Sequence, residues 1–186
     1  MKSFTSLATL ALAAALATPV YAQQKNAADA DAKAMKNLAE ANLAEIEAGK
    51  LASQKAESPE VKQFGQRMVD DHTKMLDDLK KLAEAKNVQL PTQPKSSDQK
   101  KLKKLQGMSG EKFDREYMSE MVKDHKKDMK ETAGIAKKAK DTEFKSAVQE
   151  AHDKIADHLQ NAEQVAKTEK NEKHSGNGST SSSKKQ

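Results

Sequence analysis

Four long segments of the chain repeat an apolar residue every three to four positions, and this feature constrains the fold most. Drawn as helices with about 100° per residue, they each present one apolar stripe on a surface rich in Lys, Glu and Asp. A helix of this kind is stable only when its stripe is buried against other helices. The pattern therefore predicts an all-α fold, an antiparallel four-helix bundle.

Capping residues and prolines locate the ends of the predicted helices. Ser58-Pro59-Glu60 places a capping side chain, a proline and an acid where helices commonly begin. Pro91 and Pro94 interrupt the chain because each disfavours helix in the residue before it. We expect long helices from residue 29 or 31 to 56, then at 58–86, 109–140 and 141–170, with a short extra helix at 98–106.

Composition argues against several other classes. The chain has no Cys, which excludes a disulfide framework, a thiolate metal site and a cysteine nucleophile. Only 3% of the residues are aromatic, and four Pro and seven Gly provide few turns, so a sandwich or barrel is not expected. The basic residues are nearly all Lys interspersed with acids, which is typical of a solvated surface and not of a specific nucleic-acid interface.

The N-terminus has the features of a cleaved signal peptide. A basic start at Lys2 precedes an apolar run at 7–17, and Val20 and Ala22 occupy the −3 and −1 positions of a cleavage site. We expect residues 1–22 to be removed and the mature chain, without a transmembrane segment, to be periplasmic or secreted. The expected organisation is a helical domain at 23–170 and a disordered tail at 171–186, rich in Gly, Ser, Asn and Lys.

Polar side chains interrupt the apolar stripes at a few positions. Glu45, His72 and His125 lie within the stripes of the first three long helices, Asp128 follows one turn after His125, and His158 flanks the fourth stripe. Buried acids and histidines are costly unless they are paired or bound to a metal. These five residues are therefore candidate ligands of a transition metal ion.

A structural interpretation of the same residues stays open. The Glu-x-x-His pattern typical of di-iron bundles is absent, because an apolar residue stands three positions before each of the three histidines. The polar groups could instead form a hydrogen-bonded network that fixes helix register. Asp71, Asp124 and Asp157 each precede a histidine, and adjacent residues on a helix diverge by about 100°, so we expect these three to point towards neighbouring helices or solvent.

Several short motifs occur in the order of a known family. They lie at 45–52, 58–64, 67–72, 105–110, 113–117, 121–125 and 158–162. On these motifs the chain resembles the DUF4142 family of exported bacterial proteins over about residues 31–166. The resemblance implies a ferritin-like helical bundle, and the family pattern includes the acid at Glu45 and the histidines at His72, His125 and His158. It implies no activity, because the family is of unknown function.

Two functions from different classes fit these observations. The first is a non-enzymatic envelope stress or interaction protein that meets an unidentified protein or envelope component. The second is a metal-binding or redox-protective protein, with Glu45, His72, His125 and His158 as ligands and Asp128 in an auxiliary role. The first is favoured, and catalysis is not expected, because no recognised catalytic spacing is present. The second requires the four ligands to converge to about 2 Å from a common centre. The pattern specifies no oligomeric state.

Overall fold

The structure, a computed structural model, describes residues 18–176 and the side chains of residues 28–171. Within this part of the chain it contains five helices and no strand, which confirms the all-α class. The helices are α1 (Thr18–Lys55), α2 (Pro59–Ala85), α3 (Ser96–Gln106), α4 (Gly110–Lys138) and α5 (Thr142–Gly176). Between the long helices α2 and α4 lies the short helix α3, as expected.

The first and last helices extend beyond the limits predicted from the sequence. The chain is already helical at Thr18, the first described residue, ahead of the expected start near residue 29, because no proline or glycine occurs between Pro19 and that position. Helix α5 is still helical at Gly176, the last described residue, past the expected end at 170. Most of the predicted signal peptide (residues 1–22) and the last ten residues of the predicted tail lie outside the described residues.

Side chains cap the starts of α2 and α5. Ser58 precedes Pro59 with an extended backbone, and its hydroxyl accepts a hydrogen bond from the Val61 amide at 3.4 Å. Asp141 Oδ1 accepts from the Phe144 amide at 2.8 Å at the start of α5. These contacts satisfy backbone donors that a helix start otherwise leaves without partners.

Two buried aspartates connect helix ends that are far apart in sequence. Asp114, at the start of α4, accepts hydrogen bonds of 2.8–3.1 Å from the amides of residues 57–58, between α1 and α2. Asp31, in α1, accepts bonds of 3.1 and 3.0 Å from the amides of residues 140–141, between α4 and α5. The C-terminal end of α1 therefore lies beside the start of α4, and the first half of α1 lies beside the end of α4, so the two helices run antiparallel.

Ion pairs define the direction of α2 relative to α5. Arg67, in the first half of α2, pairs with Asp157 near the middle of α5. Lys86, just after α2, lies 2.5 Å from Asp141 and 3.4 Å from Glu143 at the start of α5. These two helices also run antiparallel.

A polar layer divides the apolar core into two clusters. On α2, the first cluster ends at Met68 and the second begins at Leu76, with His72 between them. The same division falls at His125 on α4 and at His158 on α5. Three histidines are thus held at one level of the fold, with apolar packing above and below them.

Among the described residues, every helix is too short or too polar to span a membrane.

Candidate metal centre

Three histidines from three helices meet in the polar layer. His72 of α2, His125 of α4 and His158 of α5 are buried, with 4%, 0% and 0% of their surface exposed. Their ring centroids are 5.2–5.8 Å apart, and one nitrogen of each ring lies within 4.8 Å of the other two. We call these three residues the histidine triad.

Each ring of the triad is oriented by an oxygen acceptor outside the triad. His72 Nδ1 lies 2.9 Å from Asn42 Oδ1, and His125 Nδ1 lies 2.9 Å from the Met121 carbonyl. His158 Nε2 lies 2.7 Å from Asp71 Oδ2. Three separate elements therefore hold the three rings, which is the outer-shell arrangement typical of metal-ligating histidines.

These acceptors determine which nitrogen of each ring carries the proton. A carbonyl and an ionised carboxylate can only accept hydrogen bonds. The amide of Asn42 is fixed as well, because its Nδ2 donates to the Leu38 carbonyl at 2.8 Å and leaves Oδ1 for His72. Each ring therefore donates outwards, and its second nitrogen carries a lone pair.

The second nitrogens are buried and have no hydrogen-bond partner. They are Nε2 of His72, Nε2 of His125 and Nδ1 of His158. Unpaired acceptors are uncommon in protein interiors, and each costs about 1–3 kcal/mol. A ligand that accepts three lone pairs would satisfy all three nitrogens at once.

The electrostatic environment keeps the triad neutral near pH 7. Burial, followed by the nearby His158, lowers the pKa of His125 to about 4. Burial and the two neighbouring imidazoles also hold the pKa of His72 well below its usual value. Burial lowers the pKa of His158, although the hydrogen bond to Asp71 partly opposes this. Neutral imidazole is the form that binds a metal.

Asp71 is the carboxylate that contacts the triad directly. Partial burial opposes its ionisation, but the hydrogen bond from His158 and the charges of Lys154 and Arg67 outweigh that effect and lower its pKa. Lys154 Nζ lies 3.5 Å from Asp71 Oδ1 and Arg67 Nε lies 3.4 Å from Oδ2. Asp71 is therefore ionised and supplies one negative charge at the edge of the triad.

Two of the five residues predicted as ligands lie outside the triad. Glu45 is buried but faces α3 and α4, and no oxygen of Glu45 or Asp128 belongs to the group of mutually close ligand atoms. Asp128 lines the same region as Glu45, and its burial raises its pKa to about 6. The structure thus brings together three of the predicted residues and sets the two acids apart.

The prediction for the three aspartates that precede histidines is confirmed. Asp71 reaches across to α5, Asp124 pairs with Lys101 of α3 at 2.7 Å, and Asp157 pairs with Arg67 of α2. Asn42 was not predicted as a site residue, although an amide inside the apolar stripe of α1 is a signal that could have identified it. The partner of the remaining histidine with a described side chain, His152, is Thr132 Oγ1 at 2.9 Å.

The distances within the triad are close to those of a metal site. Three atoms no more than 4.8 Å apart lie at most about 2.8 Å from their common centre when the triangle is equilateral. Metal–nitrogen bonds of about 2.0–2.1 Å then need inward shifts of less than about 1 Å per ring. A cavity of about 240 Å³ between α1, α2, α4 and α5 adjoins the triad, and its lining includes Asn42, Asp71 and His72.

Comparison with known proteins identifies the family of the chain. The model of the family described as "Domain of unknown function (DUF4142)" matches residues 16–165. The chain therefore belongs to the DUF4142 family, as its motifs predict. No curated protein and no solved structure matches it.

Proposed function

We propose that this DUF4142 protein binds one transition metal ion at the histidine triad. The observation that carries the proposal is the set of three buried, unpartnered ring nitrogens at His72, His125 and His158. Each ring is already oriented by a partner at its other nitrogen. A metal ion is the ligand that accepts all three lone pairs at once.

Other occupants satisfy the triad less well. A buried water donates two hydrogen bonds and leaves the third nitrogen unpaired. A proton on one ring requires a buried cation, and burial lowers the pKa of all three rings. In a purely structural histidine network, at least one ring nitrogen therefore has no partner, whereas a metal ion binds all three nitrogens.

The ligand chemistry indicates the class of ion. Imidazole nitrogens suit zinc, copper, nickel and iron, whereas magnesium and calcium prefer oxygen. The triad contains no thiolate or carboxylate, and Asp71 contributes its charge only through His158. Three protein ligands are one fewer than a closed structural zinc site uses, so a fourth position is left for an exogenous ligand.

The proposal includes a finer architecture and a location. We place the triad inside a ferritin-like, antiparallel four-helix bundle, supported by the opposite directions of α1 and α4 and of α2 and α5. We also place the protein in the periplasm or outside the cell, supported by the signal-peptide features of residues 1–22.

Metal content tests the proposal directly. The protein is exported to a periplasm, purified without chelator or affinity metal, and analysed for metals. Chelator-treated protein is then titrated with Zn²⁺, Co²⁺ and Cu²⁺. We expect one equivalent to bind and affinity to fall at least about 100-fold in His125→Gln, which loses one ligand. The matched control is His152→Gln, because His152 contacts α4 through Thr132 but lies outside the triad.

The outcomes separate the two functions predicted from the sequence. Helical circular dichroism and a thermal midpoint establish that each variant folds, and His72→Gln provides a second loss-of-ligand variant. Metal bound by the protein and by His152→Gln but lost from both triad variants supports the proposal. A folded protein that holds no ion after each titration contradicts it, and an interaction protein with structural histidines then becomes the better hypothesis.

A further inference from the structure

A second polar pocket, separate from the histidine triad, lies between α1, α3 and α4. Its volume is about 50 Å³, which corresponds to about one or two water molecules. Five acidic side chains line it: Glu45, Asp98, Glu120, Asp124 and Asp128. We call it the carboxylate pocket.

Lys101 of α3 is the cation that compensates most of these acids. Its Nζ lies 2.7 and 2.8 Å from the two oxygens of Asp124, 3.6 Å from Glu120 and 4.0 Å from Asp98. Lys127 also lines the pocket and lies 4.0 Å from Asp128. Two lysines therefore face five carboxyl groups, and negative charge is in excess.

Glu45 lies deepest in the pocket, where its burial and the charges of Asp128 and Asp124 raise its pKa well above the usual value. Only 5% of its surface is exposed, and its Oε2 is buried without a hydrogen-bond partner. The groups that act on it electrostatically are Asp128, Asp124, Lys101 and Asp98, all from the walls of the pocket. A cation in the pocket would stabilise the ionised form of Glu45 and give this buried oxygen a partner.

We propose that the carboxylate pocket binds a hard divalent cation through oxygen ligands and that Lys101 is its internal competitor. An all-oxygen set suits Mn²⁺, Mg²⁺ and Ca²⁺. The Lys101 side chain is 36% exposed, so its ammonium group can leave the pocket for solvent when a metal ion enters. The pocket and the triad differ in ligand chemistry and share no proposed ligand, although Asp128 also lines the cavity beside the triad.

The test measures Mn²⁺ binding to the full chain by electron paramagnetic resonance of the free aqueous ion. Removal of the competing ammonium in Lys101→Met is expected to tighten Mn²⁺ binding about tenfold or more, because the Coulomb energy of a close unit charge is large in a partly buried site. Lys86→Met is the matched control: Lys86 also bridges two carboxylates, Asp141 and Glu143, but no buried, unpartnered acid faces it.

A second substitution ties the effect to the pocket. Glu45→Gln in the Lys101→Met background is expected to remove most of the gain, since it neutralises the deepest ligand while keeping its size. If Mn²⁺ affinity rises equally in His72→Gln/Lys101→Met, the additional Mn²⁺ does not bind at the triad. An equal gain in Lys86→Met, or a gain in Lys101→Met that Glu45→Gln leaves intact, overturns the proposal. Unchanged binding in folded Lys101→Met overturns it as well.

Discussion

Nε2 of His158 donates to Oδ2 of Asp71 across 2.7 Å and links α5 to α2. The bond occupies Nε2 of His158 and leaves Nδ1 as the buried ring nitrogen without a hydrogen-bond partner. His158 thus uses the opposite nitrogen from the other two histidines. One carboxylate determines the tautomer of a candidate ligand and supplies the charge nearest to it.

Asp71→Asn is therefore expected to weaken metal binding at the triad about tenfold, at the lower end of outer-shell effects. Asparagine keeps the shape and an acceptor oxygen but loses the charge that favours the metal-bound imidazole. Competition titration of chelator-treated protein with Zn²⁺ measures the change. Asp157→Asn is the control, because Asp157 shares Arg67 with Asp71 but bonds no histidine. Equal effects of the two substitutions would show that the charge acts only through Arg67.

The hydrogen bonds of the triad predict a specific tautomer for each ring in the metal-free protein. We expect the proton on Nδ1 in His72 and His125 and on Nε2 in His158. Two-bond ¹H–¹⁵N correlation spectra near pH 7 distinguish the two tautomers of each imidazole. Nε2-protonated His72 or His125 would contradict the arrangement, and so would a positively charged ring at this pH.

The pKa of His125 predicts how the stability of the metal-free protein depends on pH. Because burial lowers this pKa from 6.5 to about 4, the unfolded state binds more protons between these values. The contribution of neutral His125 to stability is thus complete above pH 6.5 and is lost as pH falls towards 4, by up to about 3 kcal/mol. Asp128 acts in the opposite direction, since its raised pKa makes the folded state bind more protons from about pH 6 down to 3.8.

A difference measurement removes this opposing effect. Urea unfolding of the parent and of His125→Gln between pH 4 and pH 8 contains the same Asp128 contribution in both proteins to first order. The difference in free energy of unfolding is expected to fall as the pH decreases from 6.5 to 4. A difference that stays constant over this range would show that His125 titrates alike in the folded and unfolded chains.

The convergence of the histidines could be predicted from the sequence only in part. His72 and His125 lie inside apolar stripes, so helical periodicity alone directs them inwards. His158 lies at the edge of its stripe, and its inward position depends on how α5 is rotated against α2. The Asp71 contact sets that rotation, and it joins residues 87 positions apart. Periodicity within one helix carries no information about such a contact.

The separation of Glu45 from the triad has a similar physical reason. Glu45 lies on the inward stripe of α1, and a stripe about 100° wide can face two different neighbours. The short helix α3 packs beside α1 and α4 and provides Lys101 and Asp98. The carboxylate pocket therefore lies on the side of α1 that faces α3 and α4. The sequence predicts α3 correctly as a helix, but its docking position depends on the connections around it. The sequence therefore predicts Glu45 as a ligand beside the three histidines, whereas in the structure it lies outside the triad.

The close approach of α1 and α2 at Gly49 and Gly65 leads to the last prediction. A Cβ atom on Gly65 would lie 2.6 Å from Ala52 Cβ and 2.9 Å from the Gly49 carbonyl oxygen. Gly65→Ala therefore forces the helices apart, and we expect it to lower the free energy of unfolding by about 1–3 kcal/mol. Gly134→Ala is the control within a helix, because no atom lies within 4 Å of its Cβ position. It is expected to raise stability by about 0.5–1 kcal/mol.

Gly65→Ala is also expected to affect the triad, because it changes the spacing between α1 and α2. Gly65 lies two turns before His72 on α2, and Gly49 lies two turns after Asn42 on α1, so the glycine contact sets the spacing for the 2.9 Å bond between Asn42 and His72. Gly65→Ala is thus expected to reduce Zn²⁺ affinity as well as stability, whereas Gly134→Ala leaves affinity unchanged. Urea unfolding and Zn²⁺ competition on both variants measure the two effects. A stable Gly65→Ala protein with unchanged affinity would show that α1 and α2 tolerate a wider spacing at this level.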